Sequence, residues 1–163
     1  MIDRHYRRLP ADGEYHAFES TLGTASNWDQ TIQHGSPPLA LMTKAVEDLT
    51  AGSGLRAGRL TLDILGAIPV APVKVRAWVE RPGSRISLVA AEMMATRPDG
   101  TDRAVARLNV WLLATSDTVD AATDRYPPLV EGEAVPNPHA WVGAPGYLAV
   151  SYTHLTLPTT PYV

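Results

Sequence analysis

The chain has 163 residues, 45% of them hydrophobic and 19% charged, which is enough for one globular domain with a real core and too little for two. Its net charge of -3, with no Lys/Arg run, leaves no electrostatic case for nucleic acid. With no cysteine there are neither disulfides nor thiolate metal sites, and the polar start Met-Ile-Asp-Arg-His-Tyr-Arg-Arg is no signal peptide, so a cytoplasmic protein is expected. No apolar run approaches the roughly 20 residues of a membrane span.

Residues 1–15 are polar and mixed and read as an irregular lead-in. From His16 to Leu22 the pattern is weakly strand-like, and Asn27, Trp28 and Asp29 form a turn-rich connection to Gln33-His34-Gly35-Ser36-Pro37-Pro38. Ser36 suits an N-cap and proline suits the first helical turn, so a helix is predicted from Pro37 to Thr50. Leu39, Met42, Val46 and Leu49 recur at helical spacing, and Ala40, Leu41 and Ala45 widen the stripe. Such a helix asks to be buried on most sides. Ala51-Gly52-Ser53-Gly54 ends it.

Four strands follow. Leu60, Leu62 and Ile64 alternate with polar residues, as do Val73, Val75, Ala77 and Val79. Arg81-Pro82-Gly83-Ser84 carries type II turn chemistry into a strand over 85–96. Arg97-Pro98-Asp99-Gly100 carries type I chemistry into a last strand over 104–113. Trp78 and Trp111 read as sheet-face packing, and Met93 and Met94 as core. Beyond Ala114 the character changes, since seven of the 14 prolines fall in the final 48 residues. A Pro-rich linker over 116–140 and a short tail over 141–163 are expected, with the domain itself at 14–115.

A first strand, a long buried helix opened by His-Gly and a four-stranded meander make an α+β architecture. It resembles the hotdog fold, an antiparallel sheet wrapped around one central helix. Trp28-Asp29, Gln33-His34-Gly35, Pro38-Leu39-Ala40-Leu41, Arg59 to Gly66 with Pro69-Val70, Arg81 to Arg85 and Asp99-Gly100 carry a closer match. Together these motifs resemble the N-terminal half of the TesB-type double-hotdog acyl-CoA thioesterases, in the thioesterase-like superfamily. The resemblance implies hydrolysis of a fatty or related acyl-CoA to free acid and CoA without a cofactor. It also implies that the catalytic acid lies mainly in a second hotdog, which would begin near Trp141. The stretch Val150-Ser151-Tyr152-Thr153-His154-Leu155 and its Thr/Pro continuation looks like translated sequencing-adapter read-through, which would make the chain a fragment. A lone hotdog leaves a sheet edge and a helix face in want of a partner, so a homodimer or pairing with a second hotdog is expected.

Thioester hydrolysis needs an oxyanion donor and a group that activates water. Pro37 and Pro38 have no N–H, so the donors at the helix start reduce to Gly35, Ser36 and the His34 imidazole. Glycine at 35 would admit a ligand close to the backbone. The plainer reading has His34 only capping the helix. His-Gly-Gly thioesterases place an acid nine positions after the histidine, where this chain has Thr43, so Asp29 is the remaining candidate base. Asp29 and His34 also have the Asp-x-x-x-x-His spacing of hotdog enoyl-CoA hydratases, although the Asn-Pro usual between them is missing. A third reading is a non-catalytic acyl-CoA-binding or scaffolding half. Trp28, Gln33, Gly35 and Ser36 are candidates for substrate contact, and Arg81 and Arg85 for the CoA phosphates. His5, His16, His139 and His154 share no ligand spacing, and no metal is expected.

Overall fold

The computed structural model describes residues 4–123; the expected tail, and the linker beyond Thr123, lie outside them. Six antiparallel strands form one sheet: β1 (Tyr6–Arg8), β2 (His16–Ser20), β3 (Leu55–Ile64), β4 (Pro72–Arg81), β5 (Ile86–Thr96) and β6 (Asp102–Ala114), in the order β1-β2-β4-β5-β6-β3. The one α-helix among the described residues, α1 (Ser36–Leu49), packs across β4, β5 and β6, as the hotdog architecture requires. A separate unit starts at Val119 and contributes a short 3₁₀ turn, Val119–Ala121. Among the described residues no helix is long and apolar enough to cross a membrane.

Strand alternation sorts the sheet into two faces. The row Val75–Met93–Ala106 turns toward the helix, where Met42 and Val46 meet it, and all five residues are at most 1% exposed. The adjacent row, Arg76–Glu92–Arg107, turns away. Leu49 ends the helical stripe 47% exposed, so the helix is covered by the sheet on one side and left open on the other.

Several expectations are corrected. The lead-in is not irregular throughout, because Tyr6–Arg8 pairs with Phe18–Ser20. Strand β3 begins at Leu55, five residues before its apolar alternation, because a bulge at Ala57/Arg59 breaks the period of two. Met94 faces away from the core and is half-buried, unlike Met93. The turn after β4 is not type II, since Gly83 lacks a positive φ. Glycine is needed there for space: a Cβ at position 83 would lie 2.2 Å from the Ile86 carbonyl oxygen. The next turn is closed by the Gly100 N–H donating to Arg97 O at 2.9 Å, with Gly100 at φ +83°.

Candidate active site at the helix start

The segment that delivers His34 is pinned from both sides. His34 N–H donates to Thr24 O (2.8 Å), Ser26 N–H to Ile32 O (2.8 Å), and Gln33 N–H to Ile68 O (2.7 Å). Each of these bonds removes freedom from the backbone that enters the helix. Helix α1 starts at Ser36, one residue earlier than the sequence suggests, with Gly35 at the N-cap and no capping bond from the Ser36 hydroxyl. The cap is supplied by the imidazole instead, because the Ser36 N–H donates to His34 Nδ1 at 3.3 Å. An accepting Nδ1 puts the proton of the neutral ring on Nε2, which becomes a donor.

This rearranges the expected set of donors. The Ser36 N–H is occupied, leaving the Gly35 N–H and His34 Nε2–H beside the positive end of the helix dipole. Gly35 has φ -65°, and a Cβ there would meet only Ile64 Cδ1, at 3.6 Å. Nothing among the described residues therefore requires glycine at this position. Ile64 and Leu65, at the end of β3 beside it, are 56% and 50% exposed and give the helix start an apolar rim.

The other candidates are placed differently. Gln33 is buried, and both ends of its amide have internal partners: Nε2 donates to Pro69 O at 2.8 Å and Oε1 accepts from the Tyr6 hydroxyl at 2.5 Å. Its side chain braces the segment. Burial drives the Tyr6 hydroxyl far above its ordinary value, so it stays a donor to Gln33. Asp29 is exposed and closes a turn, with Oδ1 accepting from the Thr31 hydroxyl (2.7 Å) and the Thr31 N–H (2.8 Å). Those bonds hold its carboxyl below the usual range. Trp28 is 70% exposed on the same turn. Thr43 returns its hydroxyl to Leu39 O at 2.8 Å, within its own helix.

Arg81 and Arg85 flank the β4–β5 turn, at the end of the sheet remote from the helix start. The nine-residue rise from Pro72 to Arg81 separates those two ends by about 30 Å. Arg81 donates to Ile86 O at 3.3 Å.

The carboxylate missed by sequence reasoning is Glu92, 7% exposed at the centre of β5. It accepts from the Tyr15 hydroxyl at 3.1 Å, from Arg76 Nη2 at 3.3 Å, and from Arg107 Nε and Nη2 at 3.4 Å. Its row faces away from the helix, so this acid does not belong to the His34 site. Among the described residues no group of three or more His, Asp or Glu could hold a metal ion.

Residues 24–113 match the family model for the acyl-CoA thioesterase N-terminal domain. The chain belongs to that family. Solved structures share the fold at low identity. One is smu.793 from Streptococcus mutans bound to acetyl-CoA, 10% identical, covering 71% of this chain and 92% of its own, with a TM-score of 0.53. The Escherichia coli PaaI protein of a phenylacetic acid degradation operon is 16% identical, covering 68% and 80%, with a TM-score of 0.52. A hypothetical thioesterase protein with coenzyme A from Streptococcus pneumoniae is 12% identical, covering 68% and 85%, with a TM-score of 0.51. No curated protein matches the chain.

Proposed function

We propose that the chain acts as the N-terminal hotdog of a TesB-like acyl-CoA thioesterase, with the thioester carbonyl received at the start of α1. The observation that carries this reading is the pair of donors left there, Gly35 N–H and His34 Nε2–H. A carbonyl oxygen that gains negative charge as water adds would be stabilised by both. The S. mutans and S. pneumoniae structures, which hold acetyl-CoA and CoA on the same fold, support a CoA thioester as ligand. The substrate class is a fatty or related acyl-CoA, and the products are the free acid and CoA.

The base is the part this chain supplies least well. Asp29 is the nearest acid in sequence and is committed to its turn, which weakens both its role as base and the hydratase reading that pairs it with His34. A base from a second hotdog, in the same chain or in a second copy, fits better. Strand β3 favours such pairing: among the described residues it has a neighbour on one side only, is ten residues long, and exposes Leu60 and Ile64. Self-association measured by sedimentation tests this, and a clean monomer contradicts it. The second reading, an acyl-CoA-binding half without chemistry of its own, is favoured by Thr43 standing where an acid would be useful.

The test is CoA release from a panel of acyl-CoAs, read with a thiol reagent, to which a chain without cysteine contributes no background. Wild type should release CoA, or bind acyl-CoA without release if the base is elsewhere. A His34→Ala, Gly35→Val double variant should lose either property by about tenfold or more. Undiminished acyl-CoA affinity in that variant would overturn the placement of the thioester.

A further inference from the structure

The helix start is not the only feature at this end of the sheet. The ends of β3 and β5 and the beginnings of β4 and β6 converge here, and between them lies an open pocket of about 510 Å³. Its walls are apolar where Ile32, Pro69, Ala95 and Pro98 line it, and cationic at Arg97 and Arg103. No carboxylate lines it.

The two arginines are held differently. Arg103 pairs in register with Ala95, a residue buried on the helix side of the sheet, and it donates from Nη2 to Ala67 O at 3.1 Å. Its Nη1 lies 2.9 Å from where a Cβ on Gly66 would stand, so the guanidinium lies close over the Gly66 backbone. Arg103 is thus fixed by one nitrogen, with donors left over. Arg97 is exposed, and its guanidinium has no hydrogen-bond or ion-pair partner among the described residues. The acids nearby are engaged elsewhere. Asp99 Oδ1 accepts from Thr101, and Asp102 is taken by Lys74 and Thr96.

We infer that this pocket receives the phosphate-bearing nucleotide end of the CoA thioester, with Arg97 and Arg103 on its phosphates and the apolar wall against the base. The inference rests on the reading of the helix start as the thioester site and extends it. Two guanidiniums without an acid select a multiply charged anion, and their planar donors suit phosphate oxygens. The apolar wall asks for a ligand that is more than a bare anion. The pocket opens beside the helix start, since Ile32 in its wall lies two residues before His34, at most about 7 Å along the chain. Arg81 and Arg85, a strand's length away, are not available to the same bound molecule within one chain.

The test is titration calorimetry on the whole chain with three probes: CoA, S-acetyl-pantetheine, which lacks the nucleotide, and inorganic pyrophosphate. Arg97→Glu is the primary variant, because that side chain holds nothing in the fold. Arg103→Lys is the second, since it keeps a charge while losing the fork. Wild type should bind CoA more tightly than either smaller probe. Arg97→Glu should weaken CoA by about tenfold or more while leaving S-acetyl-pantetheine unchanged. Equal CoA affinity in wild type and Arg97→Glu overturns the pocket alone. Pyrophosphate binding as tight as CoA overturns the part assigned to the apolar wall. A wild type that binds neither CoA nor S-acetyl-pantetheine overturns the thioester reading and the pocket together.

Discussion

Replacing Glu92 by Leu should destabilise the domain by about 2 kcal/mol, a figure that follows from who faces the carboxylate. Breaking a fully buried ion pair costs roughly 3–5 kcal/mol, because the surviving charge is left in a low-dielectric interior. Here the survivors are only partly buried. The Arg107 side chain is 60% exposed and rehydrates, so its share is small. Arg76 is 36% exposed, keeps Glu14 at 3.1 Å, and lies 4.9 Å and 5.2 Å from the Tyr15 and Trp78 ring centroids. Its Nε is already buried without a hydrogen-bond partner, so loss of Glu92 deepens an existing deficit. Tyr15 loses its acceptor as well. About half the fully buried cost is therefore expected, a fall of roughly 8 °C in Tm for a domain of this size. Urea unfolding at one fixed protein concentration, with m unchanged, is the assay. Arg107→Ala should cost under about 0.5 kcal/mol in the same assay. A Glu92→Leu variant as stable as wild type would refute the reasoning and show that the row is held by packing alone.

Two glycines should respond in opposite ways. Gly83→Ala forces a Cβ to within 2.2 Å of a backbone oxygen and should cost about 1–3 kcal/mol in urea unfolding. Gly35→Ala should stay within about 0.5 kcal/mol of wild type, so that any loss of acyl-CoA binding in that variant reports on the ligand rather than the fold. The acid limb of stability should depend on Asp102, whose carboxyl is held below the usual range by hydrogen bonds from Lys74 and Thr96. With the folded value depressed, its contribution is present above the unfolded value near 4 and is lost as pH falls through the folded one. Lys74→Met should flatten the fall of Tm below about pH 4, and an unchanged slope would assign that limb to other carboxylates.

The helix, five of the six strands and the His34-Gly35 helix start were legible in the sequence because each is a local pattern. Apolar residues repeat at helical spacing from Leu39 to Val46 and at every second position from Val73 to Val79, and prolines mark the first helical turn. Those patterns, with the motifs along them, were enough for the fold class and the family. Three residues of β1 carry no period that could be read, and the bulge at Ala57/Arg59 hides the first half of β3. What only the tertiary structure decided is which side chains meet across elements. The imidazole replaces the serine as helix cap, and Gln33 is tied between Tyr6 and Pro69, 27 and 36 residues away in sequence. Glu92 falls on the face without the helix, while Arg97 and Arg103 come to the end where the helix begins. Apart from the His34 cap, which spans two residues, none of these is a matter of local spacing. Sheet register brings Glu92 between Arg76 and Arg107 and sets Arg103 beside Ala95, because partners across neighbouring strands are neighbours in space whatever separates them along the chain.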